Sequence, residues 1–215
     1  MSEISENDLK LITPFTMILS GGTHTGKTTF IFKLIKNISI FSPPVNKILY
    51  IYSEYQKCFD DFKDKIFFTK DIKFLDIEPN EGERLFIIID DMMDSIGNNQ
   101  NLLDLFTKKS HHQKICVCVI LQNIFKEGKI FKDLRCNTMY FALSNHMNNF
   151  QKIEIFARQL EGKNSNYFIS SYEDCMKTPF NIFFIDLHPK SKINHLVKYR
   201  SGVENIDNQV IYLRK

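Results

Sequence analysis

The residues Gly21-Gly22-Thr23-His24-Thr25-Gly26-Lys27-Thr28 carry the most chemistry in this chain. They match G-x-x-x-x-G-K-[ST], a spacing in which glycines let backbone N–H groups wrap a phosphate. An apolar run reads as a strand before them and a helical pattern follows, so the positive end of that helix faces the same anion. In this arrangement Lys27 neutralises the β- and γ-phosphates as a point charge, and the Thr28 hydroxyl ligates Mg²⁺. The expected nucleotide contacts are Gly21, Gly22, Thr23, His24, Thr25, Gly26, Lys27, Thr28 and Thr29, and the expected ligand is ATP with Mg²⁺. His24 falls where the motif leaves the residue free, so it takes no catalytic role.

Leu85-Phe86-Ile87-Ile88-Ile89-Asp90-Asp91 is a wholly apolar run ending in two acids. An acid at such a tip reaches the water shell of Mg²⁺, which is assigned to Asp90. Asp91 is then placed to orient or deprotonate the attacking water; the other reading is a cap on the following turn. Gln122 ends the apolar run Ile115 to Leu121, where a neutral amide can sense the γ-phosphate or hold water; a strand-end hydrogen bond to a loop is its other reading. A P-loop ATPase that works as a ring needs an arginine from the neighbouring copy. The arginines are Arg84, Arg135, Arg158, Arg200 and Arg214. Arg135 and Arg158 lie in the half that could face a neighbour, and either can equally be a surface ion pair. Glu54 follows the second strand and serves either the nucleotide region or a helix N-terminus.

Positioning these residues takes alternating strands and helices, and the chain reads that way. Expected strands are Phe15 to Ser20, Lys47 to Ser53, Ile66 to Thr69, Leu85 to Ile89, Ile115 to Leu121, Thr138 to Leu143 and Asn181 to Leu187, with Ile193 to Tyr199 as a further candidate. Expected helices are Lys27 to Asn37, an amphipathic one carrying Cys58, Phe59 and Phe62, Asn101 to Lys109, Phe150 to Leu160 and Tyr167 to Met176. The fold class is α/β: a P-loop NTPase with a mostly parallel twisted sheet and helices on both faces. The expected organisation is a single domain over 1–215, with 1–12 a flexible N-terminal segment.

The 215 residues suit one such domain, with 43% hydrophobic and 25% charged residues. Twenty Phe and no Trp fit an AT-rich genome. A net charge of +3 permits a nucleic-acid partner without requiring one. The five cysteines include no CxxC, so neither a zinc ribbon nor a disulfide framework is indicated, and Cys116 and Cys118 read as small core residues. His111 and His112 have no acid or cysteine at metal-ligand spacing. No apolar stretch reaches membrane-span length and the polar N-terminus is unlike a signal peptide, so the cell interior is the expected location.

Downstream of the phosphate loop an ordered set of motifs narrows the class. His111-His112, the strand ending Leu121-Gln122-Asn123, Gly128-Lys129, Asn137-Thr138-Met139-Tyr140 and Ala157-Arg158-Gln159-Leu160 follow one another, and Asp186-Leu187-His188-Pro189 comes later. From Phe15 to about Arg200 the chain resembles the genome-packaging ATPases of double-stranded DNA viruses in the FtsK–HerA superfamily, the poxvirus type with relatives in virophages, polintons and adintoviruses. Leu121 departs from that pattern, which usually has Thr there, and Lys132 stands where relatives often carry Arg. The resemblance implies a homo-oligomeric ring that drives viral double-stranded DNA into a preformed capsid, with a capsid or portal vertex as partner, inside the infected host cell. It also implies that Gln122 is the polar sensor and Asp90-Asp91 the paired acids. DNA would be held by its phosphates without sequence preference, because base-edge contacts differ at every step. Lys126, Lys129, Lys132, Lys190 and Lys192 are candidate contacts in loops. The alternatives are another DNA-translocating ATPase of the superfamily, a small-molecule P-loop kinase, and a nucleotide switch that does not turn over.

Overall fold

The computed structural model describes residues 4–92, 97, 99–146, 150–191 and 198–213, without the side chains of His111 and Ile206. In chain order the elements are β1 (Leu11–Ile12), β2 (Thr16–Ser20), α1 (Lys27–Lys36), β3 (Phe41–Ser42), β4 (Lys47–Tyr52), β5 (Phe67–Thr69) and β6 (Leu85–Asp90). Next comes α2, a continuous helix from Gln100–Asp104 through a π-helical stretch, Leu105–Lys109, to Ser110–His112. β7 (Cys116–Leu121), α3 (Lys129–Cys136), β8 (Tyr140–Leu143), α4 (Phe150–Glu161), α5 (Ser165–Met176), β9 (Phe183–Asp186), β10 (Tyr199–Ser201) and β11 (Val210–Tyr212) complete the chain.

Nine strands form one sheet in the order β11-β10-β9-β8-β2-β7-β6-β4-β5. The six from β8 to β5 are parallel; β9, β10 and β11 add antiparallel. Every residue of β2, β6, β7 and β8 is buried, which is why those runs are apolar without alternation. Side chains nevertheless divide by period two. Ile18, Ile87, Ile89, Val117 and Val119 face the layer of α2, α3, α4 and α5. Met17, Leu19, Phe86, Ile88, Cys116 and Cys118 face α1 and the short 3-10 helix carrying Phe59 and Phe62. Helices therefore cover both faces, as expected. Burial pushes the Cys116 thiol up to about 12, in keeping with an inert core residue.

Several elements differ from the sequence expectation. Lys57–Phe62 is a 3-10 helix, not an α-helix. The helix expected over Asn101 to Lys109 runs on to His112. Lys129–Cys136, expected as loop, is α3: Phe131 and Leu134 are buried on one side at spacing i, i+3, while lysines crowd the other. Within the segment expected to be flexible, Leu11–Ile12 forms β1. Leu11 is fully buried, and β1 pairs in parallel with β3. Of the candidate strand Ile193 to Tyr199 only its last two residues are described; Tyr199 opens β10, which pairs with β11 in the C-terminal stretch that the sequence left ambiguous.

Candidate functional site

The carboxyl ends of the parallel strands build the site, and the phosphate loop leaves the central one. Ser20 ends β2, and the Gly21 N–H continues the ladder by donating to Leu121 O at 3.1 Å. Gly26, the residue before α1, has φ +90, a conformation that glycine adopts without strain. α1 opens at Lys27, so its unpaired N–H groups face the loop. Lys27 Nζ donates to Gly21 O at 3.0 Å and Gly22 O at 2.5 Å. Burial lowers the Lys27 pKa, opposed by the nearby carboxylates Asp90 and Asp91. The phosphate loop and the paired acids, far apart in sequence, thus share one electrostatic site.

Asp90 ends β6 and is 7% exposed. Its Oδ2 accepts a hydrogen bond from the buried Tyr50 hydroxyl at 2.7 Å, from the neighbouring strand β4. Burial lifts the Asp90 carboxyl above the usual range and Asp91 adds to this, while the Tyr50 bond and Lys27 act against it. Burial and Asp90 together hold the Tyr50 phenol well above its ordinary pKa, so it remains the donor. Asp91 is exposed, with φ +52, a left-handed conformation that Asp tolerates better than most residues. Its Oδ1 accepts from Gln122 Nε2 at 3.1 Å. β7 lies between β2 and β6, so Gln122 at its tip stands between the phosphate loop and the acids. A cleft of about 1090 Å³ is lined by Lys27, Thr28, Asp90, Asp91 and Gln122 together.

The loop has a support that the sequence reading missed. At the tip of β8, Ser144 Oγ lies 2.6 Å from Thr25 Oγ1, and Asn145 O accepts from the Gly22 N–H at 3.3 Å. A Cβ on Gly21 would fall 1.5 Å from Ser144 Oγ, so Gly21 must be glycine for this contact. His146 Nδ1 donates to Ser144 O at 2.7 Å, and its Nε2 sits 3.3 Å from Ser20 Oγ. Burial lowers the His146 pKa and favours the neutral ring. The sequence signal was available: Ser144-Asn145-His146 is a polar run directly after an apolar strand. Tyr50 was harder to find, because nothing local distinguishes it from a core aromatic.

Neither candidate arginine lines the cleft. Arg135 Nη1 donates to Ile124 O at 3.1 Å and Lys126 O at 3.2 Å, and the guanidinium lies over the Phe125 ring. It thereby holds the loop between β7 and α3. Arg158 sits on the exposed side of α4. Arg200 is fully buried, paired with Asp186 at 3.3 Å, and serves the fold. Arg84 is half-buried before β6, and Arg214 lies outside the described residues, as does Lys192. Lys129 and Lys132 are exposed on α3, and Lys126 lies over the Phe131 ring. Lys190 follows β9, which runs antiparallel, so it sits at the opposite end of the sheet from the phosphate loop. Glu54 is exposed and absent from the cleft lining. No cluster of metal-ligating side chains of the His/Cys/Asp/Glu kind occurs among the described residues. No helix among them is long and apolar enough to cross a membrane.

A phosphate loop on the central strand, paired acids two strands away and a polar residue on the strand between define a P-loop NTPase fold. No family model matches the chain, and no curated protein matches it. Solved structures do. The genome packaging NTPase B204 from Sulfolobus turreted icosahedral virus 2, in complex with sulfate, superposes with a TM-score of 0.54 at 9% identity, over 80% of this chain and 91% of that one. The same protein in complex with ATP-gammaS gives 0.52 at 8% identity, over 80% and 92%. B204, the DNA-packaging ATPase from Sulfolobus turreted icosahedral virus, gives 0.53 at 10% identity, over 80% and 92%. The chain shares the fold of these viral packaging ATPases.

Proposed function

We propose that this chain is an ATP-driven motor that moves viral double-stranded DNA into a preformed capsid. The observation that carries the ATPase half is the cleft where Lys27, Thr28, Asp90, Asp91 and Gln122 meet. The donor set suits a magnesium nucleotide: loop N–H groups and a lysine for phosphate, a hydroxyl and a carboxylate for a hard cation. Thr28 and Asp90 would hold Mg²⁺, and Gly21 to Thr29 the phosphates. Bound Mg²⁺ supplies charge neutralisation to the phosphates.

Lys27, already placed among the loop carbonyls, binds and neutralises the transferring phosphoryl group. Asp91 accepts the proton of the attacking water, or orients it, and Gln122 fixes the Asp91 carboxylate through its amide. Tyr50 holds one oxygen of Asp90 and so sets the direction of the other. Arg158 is exposed and is the better candidate for an arginine supplied to a neighbour's site, because Arg135 is tethered through Nη1 to two carbonyls of its own chain. The motor half rests on the motif order and on the fold shared with packaging ATPases. It carries with it a homo-oligomeric ring, a capsid or portal partner and action inside the infected cell. The decisive first test is phosphate release from ATP. The wild type should turn over ATP only with Mg²⁺, and Lys27→Ala should lose both binding and turnover while keeping its fold by circular dichroism. Turnover unaffected by Lys27→Ala would overturn the reading.

A further inference from the structure

The cleft does not end at the phosphate loop. It continues along α1 past Lys33 to Glu204 and to the turn Thr178–Asn181 that leads into β9. In this turn Asn181 N–H donates to Thr178 O at 3.3 Å, Pro179 stands second and Phe180 third with φ +60. That is the pattern of a turn whose third position favours glycine or asparagine. A phenylalanine there is strained, and its ring gains no burial in return: Phe180 is 73% exposed. It packs instead beside the phosphate loop, where a Cβ on Gly26 would lie 3.3 Å from the Phe180 Cβ. Glu204 lines the same cleft, with its Oε1 3.4 Å from Lys33 Nζ.

We propose that Phe180 and Glu204 form the adenine end of this cleft: the ring stacks on the base, and the carboxylate accepts a hydrogen bond from the exocyclic amine. The inference rests on the ATP-site reading and adds to it the residues that recognise the base. A strained, exposed aromatic beside a phosphate site is explained by a flat ligand that covers it. A carboxylate that can only accept suits the amine of adenine and opposes the carbonyl that guanine presents at the same edge.

The test compares ATP, GTP and inorganic tripolyphosphate binding to the folded wild type and two variants by calorimetry. Phe180→Gly removes the ring and relieves the turn, so it should melt no lower than wild type. It should nevertheless weaken ATP about ten-fold and leave tripolyphosphate unchanged. Glu204→Gln can donate to guanine, so it should narrow the preference for ATP over GTP several-fold. An unchanged ratio of ATP to tripolyphosphate in Phe180→Gly, or an unchanged ratio of ATP to GTP in Glu204→Gln, would overturn the proposal while the phosphate site stands. Failure of the wild type to bind either ATP or tripolyphosphate would instead overturn the nucleotide reading itself, and this inference with it.

Discussion

Asp90 is held between folding and chemistry. Its carboxyl is buried at the end of an apolar strand, where the ionised form is costly, yet the proposed metal role needs that form. The folded pKa lies above the ordinary 3.8, so between 3.8 and the raised value the folded state binds more protons than the unfolded one. Stability therefore rises as pH falls through this window, and the full penalty is present at neutral pH. Asp90→Asn should stabilise the protein by about 1 kcal/mol at pH 7, seen as a melting shift of roughly 2–4 °C. It should abolish turnover, and the thermal gain should shrink as the pH is lowered toward 4. A lower melting temperature at pH 7 would show that the charge is stabilised in place and not merely tolerated. Asp91 should separate from Asp90 in the same assays. Asp91 is exposed and accepts a hydrogen bond from Gln122, so Asp91→Asn should leave ATP affinity intact and slow hydrolysis by roughly 10²-fold or more. Hydrolysis at the parent rate would remove Asp91 from the mechanism.

At the scale of elements, the loop between β7 and α3 links Gln122 to a lysine-bearing helix and is fastened by Arg135. Arg135→Ala should cost stability, about 1–2 kcal/mol for the lost carbonyl bonds and ring contact, even in an isolated subunit. Arg158→Ala should leave the melting temperature of a subunit unchanged but cut ring turnover, by about 10³-fold if it acts on a neighbour. Mixed rings of Arg158→Ala and Lys27→Ala subunits should regain part of the activity, because each variant can complete the other's interface. No recovery in correctly assembled mixed rings would count against Arg158. The sequence made the central elements legible because β2, β6 and β7 are buried on both faces and so read as unbroken apolar runs ending in polar residues. α3 escaped notice since its four charged residues, Lys129, Lys132, Asp133 and Arg135, outnumber its two buried positions, Phe131 and Leu134. Ser144, Tyr50, Phe180 and Glu204 escaped because each reaches the site only through strand order or a turn, and neither shows in local spacing. The arginines could be counted but not sorted: only the fold separates buried Arg200 and tethered Arg135 from exposed Arg158.

Over the whole molecule, the modest charge of +3 means that any DNA-binding surface must be local. The exposed lysines Lys129 and Lys132 follow directly on the loop that starts at Gln122, so a nucleotide-dependent shift of that loop would move them. Lys190 lies at the other end of the sheet and would meet a different part of a ring. Contacts made through such lysines fall on phosphates, so affinity should drop steeply with salt and ignore sequence. The measurement that tests the motor reading most directly is the ATPase rate of the assembled oligomer, with and without double-stranded DNA, using two unrelated duplexes across a salt series. Both duplexes should stimulate it equally at low salt, with the stimulation fading as salt rises in parallel with DNA binding. An assembled ATPase that duplex DNA leaves unstimulated at low salt, or that responds strongly to one duplex and not the other, would contradict the motor reading.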